Sequence, residues 1–312
     1  MPNTHKIKFL FPESITNQYA KDFVKVSSSI FKYSDKQISD VFVDVSKVVK
    51  IDVLGSVLIY KFFEYTVKKK CFFRPDTNLP SNTYIKSELD RTGMKKLIEG
   101  FIKNGIPVDY NLKVDSDDRF FLVPIILDKK TPYPKKEETD NILKINSFYK
   151  SSSSKRFIIL QCIAELSSNF MEHSVLDTKS ILLASGNHDY FEIACADTGN
   201  GIITNLKPII EGRSTNVCNI IQKSIEKGVT SKKGTNHMGQ GLWLVDQFVT
   251  EGGGELYIIS EGAYLKHRGK IVKVGESPYW KGTIIYVKLP LCNSSAYDSV
   301  MKKMNSITKN YL

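Results

Sequence analysis

Arginine is scarce in this chain: six residues against 38 lysines among 312. A surface that grips phosphate backbones bidentately needs guanidinium groups, and no arginine cluster exists to supply them. The net charge of +11 therefore reads as a solvated lysine-rich surface rather than a nucleic-acid face. It is also spread over both halves, with 26 basic against 19 acidic residues in 1–150 and 18 against 14 in 151–312. The five cysteines (Cys71, Cys162, Cys195, Cys218 and Cys292) form no CxxC pair and sit mostly in apolar segments. They are expected to be reduced core residues, not metal ligands or disulfides. The longest apolar runs, residues 120–127 and 157–160, are far too short to span a bilayer. The first residues, Met-Pro-Asn-Thr-His-Lys, lack the apolar core of a secretion signal. The expectation is a cytoplasmic protein with no membrane attachment.

What is present reads as two units. In the first half, residues 6–11 and 41–45 have strand character, and residues 52–67 and 84–102 carry apolar residues at helical spacing. Residues 71–73 read as a further short strand, and residues 120–127 as one more apolar strand. Strands alternating with helices argue for an α/β layer over residues 1–128. Residues 129–154 then shift to Lys-Lys-Thr-Pro-Tyr-Pro, a charged run and four serines, which places a linker there. The second unit, residues 155–312, opens with a helix over 155–174. Strands follow at 180–184 and 190–196, helices at 217–227 and 242–249, strands at 255–260 and 283–289, and a closing helix at 294–307. This predicts an α/β layer of helices over a mixed, largely antiparallel sheet. No internal repeat is present.

Three elements of the second unit carry chemistry. On the first helix, Glu165, Asn169 and His173 are spaced i, i+4, i+8 and project from nearly one face. A carboxamide oxygen there can hold Mg²⁺ while a carboxylate one turn away orients or deprotonates a nucleophile. Asp197 ends an apolar strand and is followed by Gly199 and Gly201, where backbone can approach a flat ligand closely. A carboxylate at a strand end can accept from an exocyclic amine, although Asp-Thr-Gly is also a common turn. The third element, Gly234-Thr-Asn-His-Met-Gly239-Gln-Gly241-Leu-Trp-Leu, runs from a glycine-rich loop into an apolar helix. Backbone N–H groups at such a helix start favour phosphate, with Lys232, Lys233 and His237 near in sequence to add positive charge.

The order of these elements, with a Gly282-Thr283 strand after them, resembles the ATP-binding domain shared by gyrase, a heat-shock chaperone, histidine kinases and the repair protein MutL (the GHKL or Bergerat fold). The resemblance covers about 135 residues, roughly 155–290. It implies that Asn169 would ligate Mg²⁺ between the phosphates and that Glu165 would be the base. Asp197 would bind the adenine amine, with Thr283 assisting through water. Gly199 and Gly201 would shape the pocket, Gly239 and Gly241 would close a lid over the phosphates, and Lys232 would add charge. One departure is Trp243, which stands where the lid's last glycine is usual. The first half resembles a STAS domain, the fold of anti-sigma-factor antagonists, through Val41-Phe-Val-Asp44-Val-Ser46, Ile51-Asp52-Val53-Leu54-Gly55 and Thr92-Gly93. The serine that accepts phosphate in that family is replaced here by Val53, and Ser56 falls out of register. The half is read as a docking or dimerisation module.

With five histidines, none between residues 6 and 172, there is no acceptor histidine ahead of the ATP-binding unit. Only about 20 residues follow Pro290, too few for the large second domain of gyrase or MutL. The resemblance then narrows to the anti-sigma serine kinase branch. The expected function is an Mg-ATP-binding regulator that hydrolyses ATP or passes its γ-phosphate to Ser or Thr of a protein partner. The alternative is a non-catalytic, nucleotide-gated interaction switch. A homodimer is a further expectation from the resemblance alone.

Overall fold

The computed structural model describes residues 5–32, 38–68, 82–91, 95–96, 99–100, 115–116, 119–122, 125–127, 136–173, 180–210, 216–230, 241–292, 297–300 and 302. The protein is α/β, built around one large sheet. The first half contributes strands β1 (His5–Leu10), β2 (Ser14–Ile15), β3 (Ile38–Asp44) and β4 (Lys50–Ile51). Its helices are α1 (Ala20–Ser27), followed by a 3₁₀ turn at Ser28–Lys32, α2 (Val53–Lys68) and α3 (Thr83–Arg91). β1 pairs in parallel with β3, and β2 in parallel with β4. The short strand expected at 71–73 lies outside the described residues, as does most of 92–102.

The remaining elements are β5 (Asp115–Ser116), β6 (Arg119–Phe121), β7 (Ile125–Leu127), α4 (Lys136–Phe148), α5 (Ser153–His173), β8 (Ser180–Gly186), β9 (Tyr190–Ala196), α6 (Ile202–Leu206), α7 (Val217–Lys223), α8 (Gly241–Gly252), β10 (Glu255–Ser260), β11 (Ala263–Arg268), β12 (Ile271–Glu276) and β13 (Thr283–Pro290). The nine-stranded sheet runs β12-β11-β10-β13-β9-β8-β6-β5, with β7 also on β8. Every ladder described within it is antiparallel, and the parallel pairs belong to the separate two-stranded ladders of the first half.

Two sequence expectations change at this level. Residues 120–127, read as one strand of the first half, form two strands that both pair with β8 in the large sheet. The stretch read as a linker contains helix α4, which packs on α5.

Both faces of the large sheet are covered. Leu182, Ala184, Phe191, Ile193, Ile258, Ile285 and Val287 point into a core shared with α5, α7 and α8. Alternate residues Ile181, Leu183, Ala194, Ala196, Tyr257, Ile259, Ile284 and Tyr286 point into a second core, shared with the first half. Strands buried on both sides read as mainly apolar runs instead of alternating ones, as β8 and β9 do apart from Ser185 and Glu192. The element meeting the second face is α2, which packs on β8 and β9. Its residues are buried on every side from Val53 to Thr66, as expected of a helix apolar all round. Phe9, Phe11 and Phe23 each meet its Phe62 edge-to-face, and Phe11 meets Phe23 in the same way. Gly55 is required in its first turn, because a Cβ there would run into the backbone carbonyl of Ile15. Inside this apolar layer, Lys61 and Glu64 form a buried ion pair one turn apart.

Candidate functional site

Helix α5 carries Glu165 and Asn169 on the side facing α8. A Cβ on Gly241, the first residue of α8, would lie 2.9 Å from Glu165 Oε2 and 2.9 Å from Asn169 Nδ2. The start of α8 thus sits directly on the two polar side chains, and a Cβ there would push their ends aside. Gln161, one turn earlier, donates to Glu165 Oε1 at 2.7 Å and fixes the carboxylate. The Asn169 carboxamide nitrogen is buried with no hydrogen-bond partner among the described residues. Leaving an amide group unsatisfied costs roughly 1–3 kcal/mol, so this end of the pocket presents a polar group that a ligand would complete.

Asp197 is placed by the end of β9. Its N–H donates to the Thr283 carbonyl at 2.9 Å, continuing the β9–β13 ladder. Its side-chain Oδ1 accepts from the Gly199 N–H at 2.7 Å, the tight Asx turn that Asp-Thr-Gly favours. Turn and buried carboxylate therefore coexist, with Asp197 only 3% exposed. Burial pushes its carboxyl up to about 7, opposed by the Gly199 N–H and by the charge of Lys61 reaching through from α2. Gly282, at φ +91°, passes so close that a Cβ would meet Asp197 Oδ1 at 2.5 Å.

The glycines after Asp197 are held by groups that no motif announces. Ser260 Oγ, at the end of β10, accepts from the Ile202 N–H at 2.9 Å and donates to the Gly282 carbonyl at 2.8 Å. It also lies 3.3 Å from Thr283 Oγ1. Glu261 and Gly262 form the two-residue turn between β10 and β11, both with positive φ, 47° and 93°. That is the hairpin geometry in which a non-glycine residue costs most. The Glu261 carboxylate repays its placement by accepting from the Thr204 N–H at 2.8 Å and from the Thr204 hydroxyl, which pins the start of α6. A Cβ on Gly201 would collide with both Glu261 and Ser260. Trp280, fully buried, donates its indole N–H to the Asp197 carbonyl at 2.9 Å.

The structure thus assembles two clusters on neighbouring elements: Glu165, Asn169 and Gly241 between α5 and α8, and Asp197, Gly199, Gly201 and Thr283 at the β9 and β13 ends. Helix α5 also packs on β9. No protein-family model, no curated protein and no solved structure matches this chain. The reading of the site therefore rests on its own geometry.

Lys232 and Gly239, with Lys233, Gly234, His237 and Arg213, lie outside the described residues, and for His173 only the helical backbone is described. The cysteines divide: Cys162 and Cys195 are buried, Cys218 is partly covered, and Cys292 is exposed rather than part of the core. Among the described residues no cluster of His, Cys, Asp and Glu could hold a metal, and no helix is long and apolar enough to cross a membrane. Any metal at Asn169 would thus need oxygens from a ligand to complete its shell.

Proposed function

We propose that this protein binds Mg-ATP between α5 and α8 and hydrolyses it, or transfers its γ-phosphate to Ser or Thr of a partner protein. The observation that carries this reading is the contact of Gly241 with both Glu165 and Asn169. It sets the N-terminal end of a helix, favourable for phosphate, against a carboxylate and an orphaned carboxamide. Asn169 would hold Mg²⁺ through its amide oxygen, and the metal would supply charge for the β- and γ-phosphates. Glu165, steadied by Gln161, is placed to take a proton from water or from a hydroxyl nucleophile. Asp197, buried at the end of β9, would accept from the adenine amine. The helices over an antiparallel sheet agree with the resemblance of residues 155–290 to the GHKL fold.

A second reading, a nucleotide-gated switch without turnover, draws support from the first half. Val53, at the position where a STAS domain commonly has its phosphate-accepting serine, is buried. Ser56 is buried too, with its hydroxyl bonded to the Asp52 carbonyl at 3.1 Å. Neither residue offers a free acceptor hydroxyl, so the first half suits a regulatory role better than a substrate's.

The two readings separate on one assay. Purified protein is incubated with γ-labelled Mg-ATP beside Glu165→Ala, following free phosphate and labelled protein. Phosphate release or protein label that disappears in the variant identifies an enzyme. Tight ATP binding with neither product identifies a switch, and absence of ATP binding removes both.

A further inference from the structure

A second pocket lies on the opposite side of the sheet from α5. It is a cleft of about 410 Å³ between the first half and the edge of the second core, lined by Thr16, Asn17, Lys50 and Asp52 on one side and by Glu192, Arg268 and Lys288 among others on the facing strands. That volume falls within the ~300–1,000 Å³ usual for small-molecule sites. Its residues share none of those assigned above to nucleotide.

The charges in the cleft are unevenly satisfied. Each carboxylate already has a partner within the protein, although Glu255 Oε1 meets Lys266 as an ion pair and not as a hydrogen bond. Asp52 accepts from the N–H groups of Asn17 and Gly55, both at 2.8 Å. Glu192 accepts from Tyr286 Oη at 3.0 Å and from Arg119 at 3.2 Å. Glu255 pairs with Lys266 at 2.8 Å. By contrast, among the described residues Lys50, Arg268 and Lys288 have no carboxylate within ion-pair distance; the charge of Lys288 is felt at Glu192, and its ammonium overlies the Tyr190 ring at 4.3 Å. Arg268 of β11 and Lys288 of β13 stand in register on either side of Glu255 in β10, and the seating of the first half brings Lys50 of β4 to the same cavity. Burial pushes the Asp52 carboxyl up to about 7 and raises that of Glu192, so the three cations are opposed by less negative charge than the sequence suggests.

We propose that this cleft binds a small phosphorylated, hydroxyl-bearing molecule of the sugar-phosphate class, its phosphate held by Lys50, Arg268 and Lys288. A phosphomonoester carries about two negative charges and three acceptor oxygens, which matches three cations that have no carboxylate within ion-pair distance. The cavity is far larger than a bare oxyanion needs. The rest of its wall mixes the hydroxyl of Thr16 and the amides of Asn17 and Gln18 with apolar surface from Ile51, Tyr286 and Pro290. Such a mixed wall suits a sugar, whose hydroxyls can meet the polar groups and whose C–H faces can meet the apolar ones. A ligand there bridges the first half and the sheet, and so stabilises their association by mass action.

Calorimetric titration of the nucleotide-free protein at low ionic strength tests this with ribose 5-phosphate, glucose 6-phosphate and glycerol 3-phosphate, beside inorganic phosphate, ribose and succinate. Saturable binding of at least one of the three esters is expected, tighter than inorganic phosphate, with ribose silent. Arg268→Gln combined with Lys288→Gln should weaken it by at least about tenfold, while Asp197→Asn in the other site leaves it unchanged. Failure of all three esters to saturate, or equal affinity in the double variant, would overturn the site. Inorganic phosphate or succinate binding as tightly as the esters would overturn the ligand class. None of these results depends on whether ATP binds.

Discussion

The indole N–H of Trp280 donates to the backbone carbonyl of Asp197 at 2.9 Å, across 83 residues of sequence. Trp280 is fully buried and its ring meets Phe31 of the first half edge-on, with centroids 5.2 Å apart. One side chain thus joins the turn that carries the buried carboxylate to the layer beneath the sheet. Trp280→Phe keeps most of the apolar contact but leaves the Asp197 carbonyl without its donor. A loss of about 1–3 kcal/mol in folding stability is expected, read from urea denaturation. The same variant should weaken ATP binding. Unchanged affinity would mean that the turn holds Asp197 in place without the indole.

Asp197 itself predicts a pH dependence. Its folded carboxyl titrates near 7, above the ordinary value of 3.8, because burial disfavours the ion. Between those two values the folded state binds more protons than the unfolded one, so stability falls as pH rises through this window and levels off above it. Asp197→Asn removes that dependence. The variant should gain on the wild type progressively from about pH 4 to about pH 7, by up to ~4 kcal/mol. The carboxyl of Asp52 titrates over the same range in both proteins and cancels in the comparison. ATP affinity should run the other way in the wild type, rising through pH 7 as the ion that accepts the adenine amine becomes populated. A flat affinity profile would separate Asp197 from adenine recognition.

Gly241 gives a steric test. A Cβ at this position reaches within 2.9 Å of both Glu165 and Asn169, whose ends are flexible enough to move aside. Alanine also favours a helix over glycine by ~1 kcal/mol. Gly241→Ala should therefore leave thermal stability level or slightly raised while lowering Mg-ATP affinity or turnover by about tenfold or more. A variant that unfolds would place the glycine's importance in packing, not in the pocket.

Much of the fold was legible because burial on both faces writes itself into sequence. Strands β8, β9, β10 and β13 are largely apolar, and α5 and α8 start where polar caps or glycine meet helical spacing. Strands β11 and β12 were missed for the opposite reason. They form an outer hairpin with lysines, a histidine and Gly275 among their residues, and β12 is largely exposed at the sheet edge. The pairing of β6 and β7 with β8 is a long-range choice that local pattern does not encode. At the site, Glu165, Asn169 and Asp197 announced themselves by spacing. Ser260, Glu261 and Trp280 did not, since each acts through a turn or loop 55 to 85 residues away from its partner. Glu261 could have been suspected from Glu-Gly between two apolar runs, a sequence that suits a two-residue hairpin turn. The seating of the first half on the sheet left a weaker trace, a helix apolar all round with one lysine and one glutamate inside it.

That pair supplies the last test. Lys61 is wholly buried in α2, bonded to Glu64, and its charge is felt at Asp197 on the other side of the sheet core. Lys61→Met removes the cation from beside the buried Glu64 carboxylate, at a cost of about 3–5 kcal/mol. Lys61→Met with Glu64→Leu removes both charges and should recover most of that stability, because an apolar pair fits an apolar layer. Stability alone would therefore assign Lys61 a packing role. The distinguishing readout is the pH profile of ATP binding. Without the nearby cation the Asp197 carboxyl should titrate higher, so the rise in affinity moves to higher pH in the rescued double variant. If that variant regains stability and binds ATP with the wild-type profile, the charge of Lys61 has no part in tuning the site.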